Sequence, residues 1–175
     1  MLTGDTHTLK KYLSLILLII AFEAISGGIG HYNMNSVRDW YVHLNKPSFA
    51  PPNWVFPVVW STLYAMIATA GWIIWRMPQG AARKKLQILF AGYMALSWGW
   101  SFVFFTFKAI LAGFYWILAY DLVALLLIMT AWKEKRIVAY LMLPALAWTL
   151  FAAYLNYSYA DLNKPVEPKM EITGG

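Results

Sequence analysis

Four tryptophans set the chemical question. Trp60, Trp98, Trp100 and Trp148 stand well inside long apolar runs, too deep for the headgroup anchoring that indole favours at a membrane surface. An indole at that depth fills a groove or walls a ligand site. Helical spacing groups the neighbours of these residues. Pro57, Trp60, Tyr64 and Gly71 share one face of one run, and Tyr93, Ser97, Trp100 and Phe104 share a face of another. Trp148, Ala152, Leu155 and Tyr159, with Asn156 beside them, share a face of a third. Three such stripes converging on one cavity suit a large, flat, apolar ligand held by offset stacking. The same stripes packed without a cavity make an aromatic core, and periodicity does not separate the two outcomes.

Other chemistry is sparse. Glu23 and Asp121 interrupt apolar runs, and an ionisable residue at membrane depth is a functional candidate by default. Neither has a Lys or Arg close by within its run. His7, His31 and His43 fall outside the spans and read as loop histidines rather than haem ligands. No nucleophile–base pair, metal-ligand cluster or phosphate loop stands out. The chain has no cysteine, so neither a disulfide nor a thiolate metal site is proposed.

The elements that must position these residues follow from composition. Of 175 residues, 61% are hydrophobic and 13% charged, far too apolar for a soluble domain of this size. The net charge of +6 is gathered in short clusters between apolar runs, a mark of membrane topology rather than of nucleic-acid binding. With about 20 residues needed per crossing, spans are expected at about 12–30, 54–75, 86–107, 110–132 and 137–159. The stretch 86–132 is about twice too long for one straight helix and must fold back between Thr106 and Gly113. The expected fold is therefore all-α: an integral membrane bundle of five helices, one domain over 1–163, followed by a polar, disordered tail over 164–175. No cleavable signal peptide stands out. The basic clusters place the N-terminus in the cytoplasm and the long loop from His31 to Asn53 outside. Ala91, Ala95 and Gly99 form a ladder of small residues on the third span, which serves either packing within the chain or a homodimer. We expect a homodimer.

The stretch from Trp40 to Tyr64, "WYVHLNKPSFAPPNWVFPVVWSTLY", resembles the signature of the translocator protein family, also called tryptophan-rich sensory proteins or peripheral benzodiazepine receptors. "WGWSFVFF" from Trp98 to Phe105 and "PALAWTLFAAYLN" from Pro144 to Asn156 resemble that family's third and fifth spans. The resemblance covers most of the chain in the right order. Phe49 and Ala145 stand where the family usually has Trp and Tyr, and Tyr93 and Ser97 where many members carry Gln and Asn. Those departures touch ligand preference more than fold.

The resemblance implies a five-helix bundle, commonly dimeric, that binds tetrapyrroles such as protoporphyrin IX and, in animal members, cholesterol. Taken with the helical stripes, it points to ligand contacts at Trp60, Tyr64, Tyr93, Ser97, Trp100, Trp148, Ala152 and Asn156. It also implies a first loop that caps the cavity, bringing Trp40, Phe49, Pro51 and Pro52 to the ligand. Prolines suit a cap because each restricts its own φ and its predecessor, so less entropy is lost on ordering. Some bacterial relatives promote light-dependent porphyrin breakdown, and the tryptophans tied to that activity match Trp60 and Trp148. The functional expectation is a membrane receptor or carrier for porphyrins in a prokaryotic cell membrane, with the porphyrin as ligand or substrate and no resident cofactor. The alternatives are a light-dependent porphyrin-degrading enzyme, and a structural or sterol-binding membrane partner. Leu155, Tyr159 and Lys164 satisfy a loose sterol pattern, which we read as incidental.

Overall fold

A backbone in hydrocarbon has no water to bond, and the α-helix satisfies its N–H and C=O groups within one segment. The computed structural model describes residues 3–164. These residues form α1 (Thr3–Tyr32), the short α2 (Met34–Asp39), α3 (Val55–Trp75), α4 (Ala81–Ser101), α5 (Ile110–Glu134) and α6 (Arg136–Leu162), and no strand occurs among them. α1, α3, α4 with the turn that follows it, α5 and α6 are each long and apolar enough to cross a membrane. This is the all-α, five-span architecture expected from the hydropathy pattern.

The helices overrun the apolar stretches. α4 begins at Ala81 and carries Arg83, Lys84 and Lys85, because helical hydrogen bonding continues into polar residues that hydropathy leaves out of a span. The expected loop from His31 to Asn53 is itself partly helical, holding α2 and a 3-10 turn at Tyr41–His43. Of the polar tail, residues 165–175 lie outside the described residues.

The long third run folds back where expected. α4 passes into a π-turn at Phe102–Thr106, closed by Phe107 N–H donating to the Phe102 carbonyl at 2.9 Å. Lys108 then takes φ 53°, a left-handed conformation that costs a non-glycine residue about 1 kcal/mol. α5 starts two residues later.

Around the bundle α1 lies on α3, α3 on α6, α6 on α5 and α5 on α4. α1 is peripheral, with Leu13, Ile16, Leu17 and Ile20 all exposed on its outer face. Phe22 pins it to the core through ring contacts with Phe90 and Trp98. The core is densest toward the ends of α3 and α5, where Ile67, Ile74, Leu86, Leu127, Val138 and Met142 are wholly enclosed. Gly71 belongs to this packing, since a Cβ there meets the Phe90 ring at 2.6 Å.

Gly99, the last residue of the small-residue ladder, has a similar role. A Cβ on Gly99 meets the Trp116 indole of α5 at 2.7 Å, and Trp116 Nε1 donates to the Leu96 carbonyl at 2.8 Å. Gly99 therefore serves contact within the chain. Ala91 and Ala95 remain exposed on the outer face of α4.

Candidate functional site

Where the aliphatic core stops, the helices enclose a cavity of about 450 Å³, in the range of small-molecule sites. Three faces build most of its wall. α3 contributes Pro57, Trp60, Ser61 and Tyr64, and α6 contributes Trp148, Thr149, Ala152, Asn156 and Tyr159. Ser97, Trp98, Trp100, Phe104 and Phe105 come from α4 and its π-turn. On each helix the residues recur every three or four positions, which brings them to one side. Adjacent residues also share the wall, at Trp60–Ser61, Ser97–Trp98 and Trp148–Thr149 on the α-helices and at Phe104–Phe105 on the π-turn, because the cavity is wide enough to span neighbouring side chains.

The aromatic wall is ordered by its own contacts. Trp100 stacks on Phe104 at 5.0 Å and Trp60 on Tyr64 at 5.4 Å, while Phe56 meets Trp148 edge-on at 5.9 Å. Asn156 joins three elements. Its Nδ2 donates to the Ile110 carbonyl at 2.8 Å and its Oδ1 accepts from Trp100 Nε1 at 3.4 Å. That arrangement fixes the indole plane of Trp100 relative to α5 and α6. At the deep end the Tyr64 and Ser97 hydroxyls are 3.3 Å apart.

The first loop is fastened over one end. The Tyr41 and Tyr159 hydroxyls are bonded at 2.9 Å. Asn45 N–H donates to Asn163 Oδ1 at 2.9 Å, and Asn163 Nδ2 donates back to the Asn45 carbonyl at 3.0 Å. Phe49 stacks on Tyr154 at 4.9 Å, and Trp40 packs against Phe104 at 5.6 Å. Thr106 Oγ1 donates to Asn33 Oδ1 at 2.8 Å, tying the π-turn to the end of α1. Burial, and then the bond to Tyr159, hold the Tyr41 hydroxyl above the ordinary tyrosine range.

Of the residues expected at the ligand, the structure brings Trp60, Tyr64, Ser97, Trp100, Trp148, Ala152 and Asn156 to the cavity wall. It does not bring Trp40, Phe49, Pro51, Pro52 or Tyr93 there. Trp40 backs Phe104 from behind. Phe49 lies on the outer side of α6 against Tyr154 and Phe151. Pro51 and Pro52 lead into α3 without reaching the cavity. Tyr93 is buried in the core against Tyr120, 4.6 Å away between ring centroids. Gly71 is likewise remote, under Phe90. The α4 stripe thus splits, its lower member joining the core and the rest the wall.

Sequence reasoning missed Tyr41, Phe56, Phe105, Tyr120 and Thr149, all of which line the cavity. Tyr41 and Phe56 lie within the quoted loop motif, which was the available signal. Phe105 and Thr149 lie within the quoted third- and fifth-span motifs, and Tyr120 had no distinguishing pattern. The two intramembrane carboxylates part company. Glu23 fronts the cavity, and among the described residues no Lys, Arg or His does. Asp121 is buried off the lining, and neither of its carboxylate oxygens has a hydrogen-bond partner. Among the described residues no three His, Cys, Asp or Glu side chains gather as a metal site. The chemistry available at the wall is stacking, apolar burial, a few hydroxyl and amide hydrogen bonds and the Glu23 carboxylate.

Comparison with known proteins agrees with this architecture. The profile of the TspO/MBR family matches residues 15–161. The chain is similar to the tryptophan-rich protein TspO of Archaeoglobus fulgidus, with 34% identity over 86% of this chain and 97% of that one. It is similar to the human translocator protein at 34% identity, over 67% of this chain and 71% of that one. Protein CrtK of Rhodobacter capsulatus is 28% identical over 89% of this chain and 98% of its own.

Proposed function

The chain belongs to the TspO/MBR family of membrane proteins, and on that premise we propose that it is a receptor or carrier for a tetrapyrrole of the protoporphyrin class. The observation that carries this reading is the cavity walled by Trp60, Trp100 and Trp148. A flat macrocycle gains most from indole faces whose planes are already set, because little side-chain entropy is lost on binding. The pyrrole N–H groups and ring substituents find hydrogen-bonding partners at Tyr64, Ser97 and Asn156. Titration with protoporphyrin IX in detergent should quench tryptophan fluorescence saturably at micromolar ligand. A linear, unsaturated response at that concentration rules the reading out. A thermal-shift screen against sterols tests the competing lipid ligand, because whichever molecule binds the folded state stabilises it by mass action.

A second reading, light-dependent porphyrin breakdown, is favoured by the lining itself, since Trp60 and Trp148 bring two oxidisable indoles to the cavity. Trp60→Phe and Trp148→Phe keep an aromatic surface without the indole. Binding that survives while illuminated loss of the porphyrin band slows supports breakdown, and bleaching at the wild-type rate rejects it. The basic clusters favour a cytoplasmic N-terminus and an outward first loop. The proposed homodimer uses the part of α4 left exposed at Ala91 and Ala95, and Ala95→Leu should lower the dimer fraction trapped by crosslinking in detergent.

A further inference from the structure

We infer that the ligand reaches the cavity sideways, through a window between α1 and the beginning of α3 that opens to the outer part of the bilayer. The inference rests on the tetrapyrrole reading for its ligand and on independent geometry for its route. Residues that both line the cavity and are exposed at the protein surface are Gly27 and Gly30 on α1, and Asn53, Pro57 and Ser61 at and just before the first turns of α3. The lining contributed by α4, the π-turn, α5 and α6 is buried or half-buried throughout. Exposure of the wall is therefore confined to one seam.

The glycines at this seam border open space, as the exposed Gly28 and Gly92 do, unlike the packed glycines of the core. A Cβ on Gly71, Gly99 or Gly113 meets a neighbouring side chain at 3.0 Å or less, whereas one on Gly27 or Gly30 meets nothing within 4 Å. Close packing thus explains the first three and not the pair at the window, where small side chains leave space. The seam is framed rather than frayed. Phe22 holds α1 below it through Phe90 and Trp98, and Tyr32 holds α1 above it against Phe102 at 5.7 Å. The two anchors are separated by roughly 15 Å of helix at 1.5 Å per residue. Ser26, Glu23 and Ser61 give the opening a polar edge on an otherwise apolar path.

The aqueous alternative is obstructed. Reaching the cavity through the first loop means breaking the reciprocal Asn45–Asn163 pair and the Tyr41–Tyr159 bond. An apolar macrocycle partitions into lipid, so a window at membrane depth meets it where it is concentrated.

Stopped-flow quenching in liposomes preloaded with protoporphyrin IX tests the route. Gly27→Phe combined with Ser61→Phe obstructs the window in open space. Association and dissociation should both slow about tenfold, because a barrier on the path is met on entry and on exit alike. Asn45→Ala with Asn163→Ala removes the reciprocal amide pair of the loop latch and should leave both rates unchanged. The route is wrong if the paired Phe variant exchanges ligand at the wild-type rate, or if releasing the latch accelerates exchange. It is equally wrong if the Phe variant raises Kd by faster dissociation, which marks those residues as ligand contacts and not a gate. Absence of saturable quenching in the wild-type protein brings down the tetrapyrrole reading and this inference together. Saturable wild-type quenching with an unaffected Phe variant brings down the route alone.

Discussion

Toward the ends of α3 and α5 the bundle is filled by aliphatic side chains with no exposed surface, Ile67, Ile74, Leu86, Leu127, Val138 and Met142. Toward the first loop, continuations of the same helices enclose a cavity of about 450 Å³. The difference lies in the shape of the side chains. Aliphatic chains adjust their rotamers and interdigitate to high density. Indoles and phenols are rigid plates, and plates held at fixed angles by Asn156 and by one another leave a gap between them. One half of the molecule is specified for density and the other for a void.

That contrast makes opposite demands on substitution. The largest effect should come from removing volume where the bundle is dense. Leu127→Ala should cost about 2–5 kcal/mol, read as a lowered unfolding midpoint in detergent, and ligand affinity in the surviving folded protein should be unaltered. Adding volume there should also hurt. Gly71→Ala drives a methyl into the Phe90 ring, which Phe22, Trp75 and Tyr93 hold in place, at a cost of about 1–3 kcal/mol. Gly30→Ala at the open half meets nothing and should leave stability unchanged or raise it by up to about 1 kcal/mol. Equal effects at Gly71 and Gly30 would remove the basis of the comparison.

Filling the void should separate binding from stability. Ala152→Phe projects a ring into the cavity and should weaken protoporphyrin IX at least tenfold, about 1.4 kcal/mol, with the unfolding midpoint within a degree or two of wild type. A variant that binds normally would place the ligand elsewhere. The smallest effect is expected at the latch. Asn163→Ala removes the two hydrogen bonds exchanged with Asn45, worth about 0.5–1.5 kcal/mol each where buried and less at this exposed position. Faster amide exchange confined to residues around Asn45 is the measurement that reports it.

Much of this was legible in the residues. Span number, span placement and the fold-back after Thr106 follow from hydropathy and the thickness of the bilayer. Seven of the residues expected at the ligand do face the cavity, because helical periodicity fixes which side chains of one helix share a face. The expectation went astray where a second element decided the outcome. Tyr93 shares a face with Ser97 and Trp100, yet Tyr120 on α5 closes over it and removes it to the core. Phe49 belongs to the motif that signals the loop, but the loop folds it outward onto Tyr154. Gly99 fits the spacing of a dimer ladder, and Trp116 occupies the space beside it.

Sequence by itself determined that this chain is built to cross a membrane five times, which residues lie on each helix face, and that three of those faces carry aromatic stripes. These are consequences of transfer free energy and of a 3.6-residue repeat, both of which act along the chain. Only the tertiary structure decided which aromatics meet each other and which front a void, and that Gly27 and Gly30 border open space while Gly71 and Gly99 border rings. Those outcomes depend on distances between helices far apart in sequence, and packing between helices, unlike periodicity within one, has no local signature.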